Sequence, residues 1–504
     1  MIEGKYKYLI PILAGLLVYQ VKQRFMSTKP SIQTSKNIVI VGGGLAGLTT
    51  IIESYSIAKK DNLDVQFYLI EKEKFLGGNS AKASSGINGI HTKTQIANSV
   101  EDSVDEFVRD TLHTGHCNDK SLVLELVQSS PHAIEWLETF SLSLTELSQC
   151  GGHSKPRTHR FPPKSDGSPS PIGWTIISTL SKYIKEHTDV HILTESTLVS
   201  IEQENGRIVG VKYRSKESEV QYLETNSLAL TTGGFSNDHS SDSLLTEFNN
   251  SVKVYPTTNG KWATGDGIKI ARNIGATLID MNAVQLHPTA FVDLSDESNR
   301  VKILAPEALR AYGGILLNQQ GKRFVNELGT RDVVSRAIID ECHDLDHIKV
   351  WLLLTEEMGN DFGNGSMKFY QGRKLVMRMD TIHELAEFID VDQNLLRDTI
   401  ESYNAGIEQK SDEFGKSVFP KTFALDGSFL LAAVTPAIHY TMGGIKIDLD
   451  GQVYGANGAI NGLYAAGEVT GGVHGQNRLA GNSLLECVVF GRRIARGLLN
   501  KQYH

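Results

Sequence analysis

The chain has 504 residues, of which 40% are hydrophobic and 21% charged, with a formal net charge of −8. That length exceeds one ordinary hydrophobic core and predicts two soluble globular domains. The acidic balance excludes the basic footprint of a nucleic-acid binder, so attraction of an anionic substrate has to be local. Cys117, Cys150, Cys342 and Cys487 share no C-x-x-C spacing. This excludes an iron–sulfur cluster, attached haem or zinc ribbon, and predicts isolated buried thiols and no metal site.

At the N-terminus "YLIPILAGLLVYQV", Tyr8 to Val21, is apolar, with Lys5 and Lys7 before it and Lys22 and Arg24 after. These 14 residues fall short of the roughly 17–25 that span a bilayer, but fit a signal-peptide core or an interfacial anchor. Residues 1–36 are expected to be a targeting or anchoring segment and linker, with membrane association through residues 8–21. Mitochondrion or endoplasmic reticulum is expected ahead of the cytoplasm.

"NIVIV" from Asn37 predicts a short buried strand that runs into "GGGLAG" and an apolar-periodic helix, and "VQFYLI" a second strand ending at Glu71. Strand, G-x-G-x-x-G at Gly42, Gly44 and Gly47, helix, strand and acid make the dinucleotide fingerprint in its full context. The glycines let the backbone close on a pyrophosphate at the helix N-terminus, and Glu71 can accept from a ribose 2′-OH. Further on, "ENGRIVGV" predicts a hairpin turning at Asn205-Gly206. "SLALTTGG" reads as a strand, and "GDGIKIARNIGA" as a turn and helix that Asp266 either caps or leaves for a ligand.

After residue 281 the pattern changes. "PEALRAYGG" predicts a short helix with Pro306 at N1, and "ILLNQQGKRFVNE" a hairpin around Gln320-Gly321. "NELGTRD" sets Arg331 at or beside a helix N-terminus, capped by Thr330 or Asp332, where the macrodipole disfavours a cation by about 0.3–1 kcal/mol. Arg331 then either pairs with Asp332 or Glu327 on a solvated surface, or faces an anion together with the helix end. A helical stretch follows at "TIHELAEFIDVDQNLLRDTIESYNAGI". "GAINGLYAAGEVTGG" restores the nucleotide-binding pattern, and a long helix begins near Asn482. The expected fold class is α/β: a Rossmann-like FAD-binding domain (residues 37–281 and 441–504) with an inserted α+β capping domain (residues 282–440). With one fingerprint and no second glycine-rich turn, one tightly held flavin is a better model than a nicotinamide.

Seven motifs carry a family resemblance: "VGGGLAG", "GGNSAKASSGIN", "QLHPTAF", "PEALRAYGG", "GKRFVNELGTRD", "IHYTMGG" and "AAGEVTGGVHGQNRLAGNSL". On them the chain resembles the soluble fumarate reductases over residues 37–500, and most closely the fungal type that lacks a haem domain. The resemblance implies reduction of fumarate to succinate by hydride transfer from flavin N5. By motif, His287, His439 and Arg478 would hold the two substrate carboxylates. Arg331 would donate the proton, with Glu307 and Arg310 relaying protons to it. FAD would contact Gly42, Gly44, Ala46, Gly47, Glu71, Lys72, Asn79, Ser80, Ser85, Gly86, Asp266, Glu468, Ser483 and Leu484. Asn79 stands where covalently flavinylated relatives have histidine, so FAD is expected to be non-covalent.

Residue chemistry agrees with these roles. A dicarboxylate needs donor clusters at both ends, and arginine meets carboxylates in bidentate fashion. A guanidinium, with a pKa above about 12, is an acid that is always loaded. Glu307 and Arg310, three apart on one helix face, suit a relay and equally an ordinary ion pair. One departure is Pro306-Glu307 where haem-bearing relatives have Thr-Glu. Proline has neither hydroxyl nor N–H, so one carboxylate contact is lost or supplied elsewhere. The expected electron donor is a diffusible reduced flavin (FMNH2 or FADH2) or a small redox protein. The competing readings are a reductase of another carboxylated alkene, such as urocanate, and a non-catalytic, membrane-tethered flavoprotein electron carrier.

Overall fold

Lys36–Val41 forms the strand around which the largest sheet is organised. The computed structural model describes residues 36–500 apart from residues 163, 165–169, 217 and 343–346. The expected targeting segment, residues 1–36, therefore lies outside the described residues, save for Lys36. Val65–Ile70 pairs in parallel with one edge of this strand and Ser227–Leu230 with the other. Gly458–Ala465 lies beyond Ser227–Leu230, and His191–Leu193 beyond Val65–Ile70. Parallel strands covered on both faces read as continuous apolar runs, as "IVIV" and "SLAL" do. The chain leaves Lys36–Val41 to one side and later returns to the other. That reversal opens a crevice at the C-terminal ends of the strands, where such sheets bind ligands.

The C-terminal helix Asn482–Asn500 lies against the fingerprint helix Leu45–Lys60, so close that a Cβ at Gly491 would stand 2.9 Å from the Ala46 carbonyl oxygen. Ser196–Glu204 and Arg207–Ser215 form the expected hairpin, with Glu204 opposite Arg207. Asn205 (φ 52°) and Gly206 (φ 74°) both take the left-handed conformation that a two-residue type I′ turn requires. Among the described residues no helix is long and apolar enough to cross a membrane.

A second, antiparallel sheet orders Val284–Phe291, Phe429–Thr441, Val350–Thr355 and Ile315–Leu317, with Met377–Met379 on the long strand Phe429–Thr441. Most buried apolar side chains fall into two clusters. One draws on residues from Ile38 to Met281 and from Ile438 to Leu499, the other on residues from Phe291 to Val434. Strands Val284–Phe291 and Phe429–Thr441 run from one cluster into the other, and His287 and His439 sit on them.

Three local expectations need correction. No hairpin forms around Gln320-Gly321: Ile315–Leu317 pairs with Val350–Thr355, and the chain beyond the turn at Gly321 is irregular. The reason is Glu327, which is fully buried and bonded by Arg323 (2.8 Å) and Lys416 (3.0 Å). A buried charge has to be paired, and that pairing sets the path in place of a strand ladder. Pro306 is the N-cap of the short helix Glu307–Ala311, not its first helical residue. The helical stretch expected after residue 381 is present, as two helices, Ile382–Ile389 and Gln393–Gln409, separated at Asp390 (φ 58°) and restarted by Asp392, whose carboxylate accepts from the Asn394 and Leu395 amides. Of the four free cysteines only Cys342 is buried; Cys117 is exposed, and Cys150 and Cys487 are partly so.

Candidate active site

A cavity of about 390 Å³ follows the C-terminal ends of the parallel strands, from Gly42 and Glu71 to His439, Glu468 and Arg478. At the fingerprint end Gly42 has φ +109°, and a Cβ there would stand 2.3 Å from the Thr231 carbonyl oxygen, so only glycine makes this turn. Gly44 is the N-cap of Leu45–Lys60, which has no side-chain cap and no acid in its first turn. The positive end of its dipole therefore faces the cavity and suits an anion, although the Leu45 amide is already met by Ser80. Gly47 does not line the cavity. Its Cβ would fall 1.9 Å from the Gly42 carbonyl oxygen, so it lets the helix seat on the turn.

Glu71 follows its strand as expected and faces the cavity, but its carboxylate already accepts from the amides of Gly43 (2.7 Å) and Glu73 (2.8 Å). Burial raises its pKa and those two bonds oppose the rise. Asp266 is the first residue of helix Asp266–Asn273, with Gly265 as N-cap, so it does not cap. It pairs instead with Lys72 at 2.7 Å. Ser80 accepts from the Leu45 amide at 3.2 Å. Asn79 donates to Asn259 (2.6 Å) and accepts from the Gly260 amide and the Trp262 indole, both at 3.1 Å. Ala46, Ser85, Gly86, Ser483 and Leu484 complete the lining among the expected cofactor residues. A tight glycine turn, an uncapped helix start and an elongated cavity fit a dinucleotide such as FAD. The cavity volume lies within the roughly 300–1,000 Å³ usual for ligand sites.

At its far end the cavity is lined by side chains of His439, Tyr440, Glu468 and Arg478; His287, Glu307, Arg310 and Arg331 lie near that end without lining it. His287 and His439 sit on neighbouring antiparallel strands with ring centroids 5.2 Å apart. His439 Nδ1 bonds Thr258 Oγ1 at 2.7 Å, while His287 Nε2 is buried without a partner. Burial first, and then the nearby Arg331 guanidinium, lowers both histidines well below the ordinary pKa of 6.5, so both are neutral. Their donor capacity, not a positive charge, is what they offer a carboxylate.

Arg331 is the first residue of helix Arg331–Glu341, with Thr330 as N-cap, and is buried. Its Nε donates to Glu307 Oε2 (3.1 Å) and its Nη1 to Gln285 Oε1 (2.9 Å). Glu307 also accepts from the Gly151 amide at 2.8 Å. Burial would raise the Glu307 pKa, but Arg331 and Arg310 outweigh it and hold the carboxyl below its ordinary value. Arg478 lies 4.5 Å from the centre of the Tyr440 ring, and its buried Nε has no partner. Burial, with repulsion from Arg331 next, lowers its pKa to about 10.

Arg310 departs from the expected relay. It makes no direct hydrogen bond with Glu307; its Nη1 donates to the Glu327 carbonyl oxygen, and its Nε and Nη2 are buried without partners. The expected surface pairing of Arg331 with Asp332 or Glu327 is absent among the described residues. Sequence reasoning missed Gln285, Gly151, Thr258 and Asn477. Gln285 and Asn477 lie inside recognised motifs, beside His287 and Arg478, where the charged neighbours drew the attention.

Taken together, the glycine turn, the helix start and the groove between them fit a flavoprotein, with buried guanidiniums and imidazoles near the far end of the groove. The model of the FAD binding domain family matches residues 37–484. Fumarate reductase 1 of Saccharomyces cerevisiae is 41% identical over 92% of this chain and 98% of its own length. Fumarate reductase of Schizosaccharomyces pombe is 36% identical over 94% of this chain and 91% of its own. Among solved structures, the open conformation of a flavocytochrome c3 fumarate reductase superposes with a TM-score of 0.73 at 31% identity, covering 96% of this chain and 81% of that one. The chain belongs to the FAD binding domain family, together with these fumarate reductases. It is an oxidoreductase acting on CH–CH groups, and its cofactor is FAD.

Proposed function

We propose that this chain reduces fumarate to succinate, using FAD bound non-covalently. The observation that carries the reading is the convergence of two buried donor sets, His287 with Arg331 and His439 with Arg478, each set having a nitrogen without a protein partner. Arg478 is a buried cation with no ion pair among the described residues, which costs several kcal/mol unless an anion completes it, and a dicarboxylate would reach it and the donors around Arg331 at once. When bound, FAD supplies the hydride. Arg478 and His439 draw electron density from one carboxylate and so stabilise charge developing on the alkene.

Arg331 gives the proton. Its Nη2 makes no hydrogen bond with the described residues and is free to face substrate, while Nε and Nη1 are held by Glu307 and Gln285. Glu307, 3.1 Å from Nε, is the nearest carboxylate for returning the proton. A water on the unpartnered Arg310 nitrogens would join Arg310 to that path. Residues around the second apolar cluster act as the cap, bringing Glu307 and Arg331 onto the cofactor groove. With Asn79 in a hydrogen-bond network and no histidine at its place, acid precipitation is expected to release yellow FAD into the supernatant. Flavin that stays in the pellet overturns the non-covalent reading.

The apolar run Tyr8–Val21 supports addressing to a membrane or organelle, and a chain starting at Lys36 is expected to stay active while losing that association. The electron donor is read as reduced FMN or FAD, or a small redox protein. The decisive experiment is anaerobic turnover of fumarate with reduced FMN or FAD, against a panel containing urocanate and longer enoates. Preference for a panel member over fumarate would overturn the substrate, and absence of turnover with every alkene would overturn the enzyme reading.

A further inference from the structure

Arg331 is held by a hydrogen-bond chain that begins at its own neighbour in sequence and returns to it through the opposite side of the site. Asn477 Nδ2 donates to Asp332 Oδ1 at 2.9 Å. Gln285 Nε2 donates to Asn477 Oδ1 at 2.7 Å and to the Arg478 carbonyl oxygen at 2.9 Å. Arg331 Nη1 closes the chain on Gln285 Oε1 at 2.9 Å. Gln285, Asn477, Arg478 and Arg331 are all buried.

The direction of this chain is dictated by chemistry. An amide can be turned either way, so Gln285 alone could present N–H2 to Arg331, donor against donor. An ionised carboxylate only accepts. Asp332 therefore fixes Asn477 with its nitrogen toward itself, which points the Asn477 oxygen at Gln285. That, together with the Arg478 carbonyl oxygen, which also only accepts, fixes the Gln285 nitrogen and leaves its oxygen for Arg331. Asp332 has no need to serve its own helix: it lies in the first turn, where its charge suits the macrodipole, and Thr330 holds the N-cap position.

We infer that Asp332 and Asn477 are positioning residues that set the polarity of this chain, orient the Arg331 guanidinium, and lock it in register with Arg478. The inference rests on Arg331 being the proton donor. It ties the acid, on a helix of the second apolar cluster, to the loop that carries the carboxylate-holding arginine. Acid and anion clamp are thus set together.

The test is a polarity swap, read as kcat, KM, FAD content, thermal midpoint and the fumarate Kd from the perturbed flavin absorbance. Asp332→Asn keeps the shape but lets the amide at 332 oppose Asn477 with a donor. It is expected to lower kcat at least 10-fold, with FAD content unchanged and fumarate Kd within about 3-fold. Asn477→Asp alone places two carboxylates together and is expected to lower kcat as much. The double variant Asp332→Asn/Asn477→Asp restores a donor facing an acceptor at that link and still accepts from Gln285, so it is expected to recover most of kcat. A merely structural pair would instead move the thermal midpoint or FAD content in step with kcat. Asp332→Asn within 2-fold of wild-type kcat, or a double variant no better than the worse single one, overturns the inference. A wild-type chain that reduces no carboxylated alkene fails at the earlier step and takes both readings with it.

Discussion

The two ends of the cavity are made from different materials. At the fingerprint end the contacts belong to backbone: a positive-φ turn at Gly42, the N-terminus of Leu45–Lys60, and a helix seated through Gly47. At the far end they belong to side chains: His439 and Arg478 line it, and Gln285, His287, Glu307 and Arg331 pack beside them, held by directional bonds between distant segments. A backbone site fails as a whole when one atom is added, because nothing nearby can move aside. A side-chain site fails by degrees and in separable functions, because each group does one thing.

The sharpest way to break that contrast is Gly47→Ala. A Cβ 1.9 Å from a carbonyl oxygen cannot be accommodated without parting helix from turn, and overpacking of this kind costs roughly 1–3 kcal/mol or more. The expected result is a chain recovered without flavin, checked by its absorbance; a yellow, fully loaded protein would show the turn to be tolerant. Arg331→Gln comes next. FAD and fumarate should still bind, while kcat falls by roughly 10²–10⁴-fold, the usual worth of a general acid. A many-fold rise in KM with kcat near wild type would make Arg331 a binding group only.

Arg478→Ala should divide its effect differently. Removing one partner of a buried charged contact costs about 2 kcal/mol or more, so fumarate should bind roughly 30-fold more weakly and turn over more slowly. If KM stays unchanged, the anion clamp lies elsewhere.

The smallest effect concerns pH. His287 and His439 hold fewer protons when folded than when unfolded, because burial and Arg331 lower both below 6.5. Below pH 6.5 the unfolded chain takes up protons that the folded one refuses, so stability rises toward pH 6.5 and is lost as pH falls beneath it. Each histidine contributes up to about 1.4 kcal/mol per pH unit in that range. His439→Asn should therefore flatten the fall of the thermal midpoint between pH 6.5 and 5. An unchanged slope would mean that His439 is protonated in the folded protein.

The same contrast governs what could be read from sequence. The cofactor groove was legible because its determinants are local: glycine spacing, strand and helix periodicity, and an acid after the second strand. The Asn205-Gly206 hairpin was legible for the same reason. The hairpin expected at Gln320-Gly321 failed because Glu327 is recruited by Lys416, 89 residues away. At the far end the charged residues were identified through their motifs, but their partners were not. Whether Arg331 meets the oxygen or the nitrogen of Gln285 depends on the rotation of that amide, which is held by Asn477, 192 residues further along, and by the Arg478 carbonyl. Arg310 teaches the converse: correct spacing on a helix face did not produce the bond that spacing suggested.

The order of strands in the parallel sheet bears on how the chain comes to be folded. Ser227–Leu230, buried along its whole length, is covered on its outer edge by Gly458–Ala465. During synthesis that partner emerges more than 200 residues later, after the whole second cluster. Until then an apolar strand presents unpaired backbone groups, which is the circumstance that favours intermolecular pairing. The helix Asn482–Asn500, which lies against Leu45–Lys60, arrives last of all. The nucleotide groove is therefore completed only when nearly the entire polypeptide is available, and a nascent or truncated chain ending before residue 458 would depend on chaperones to stay soluble.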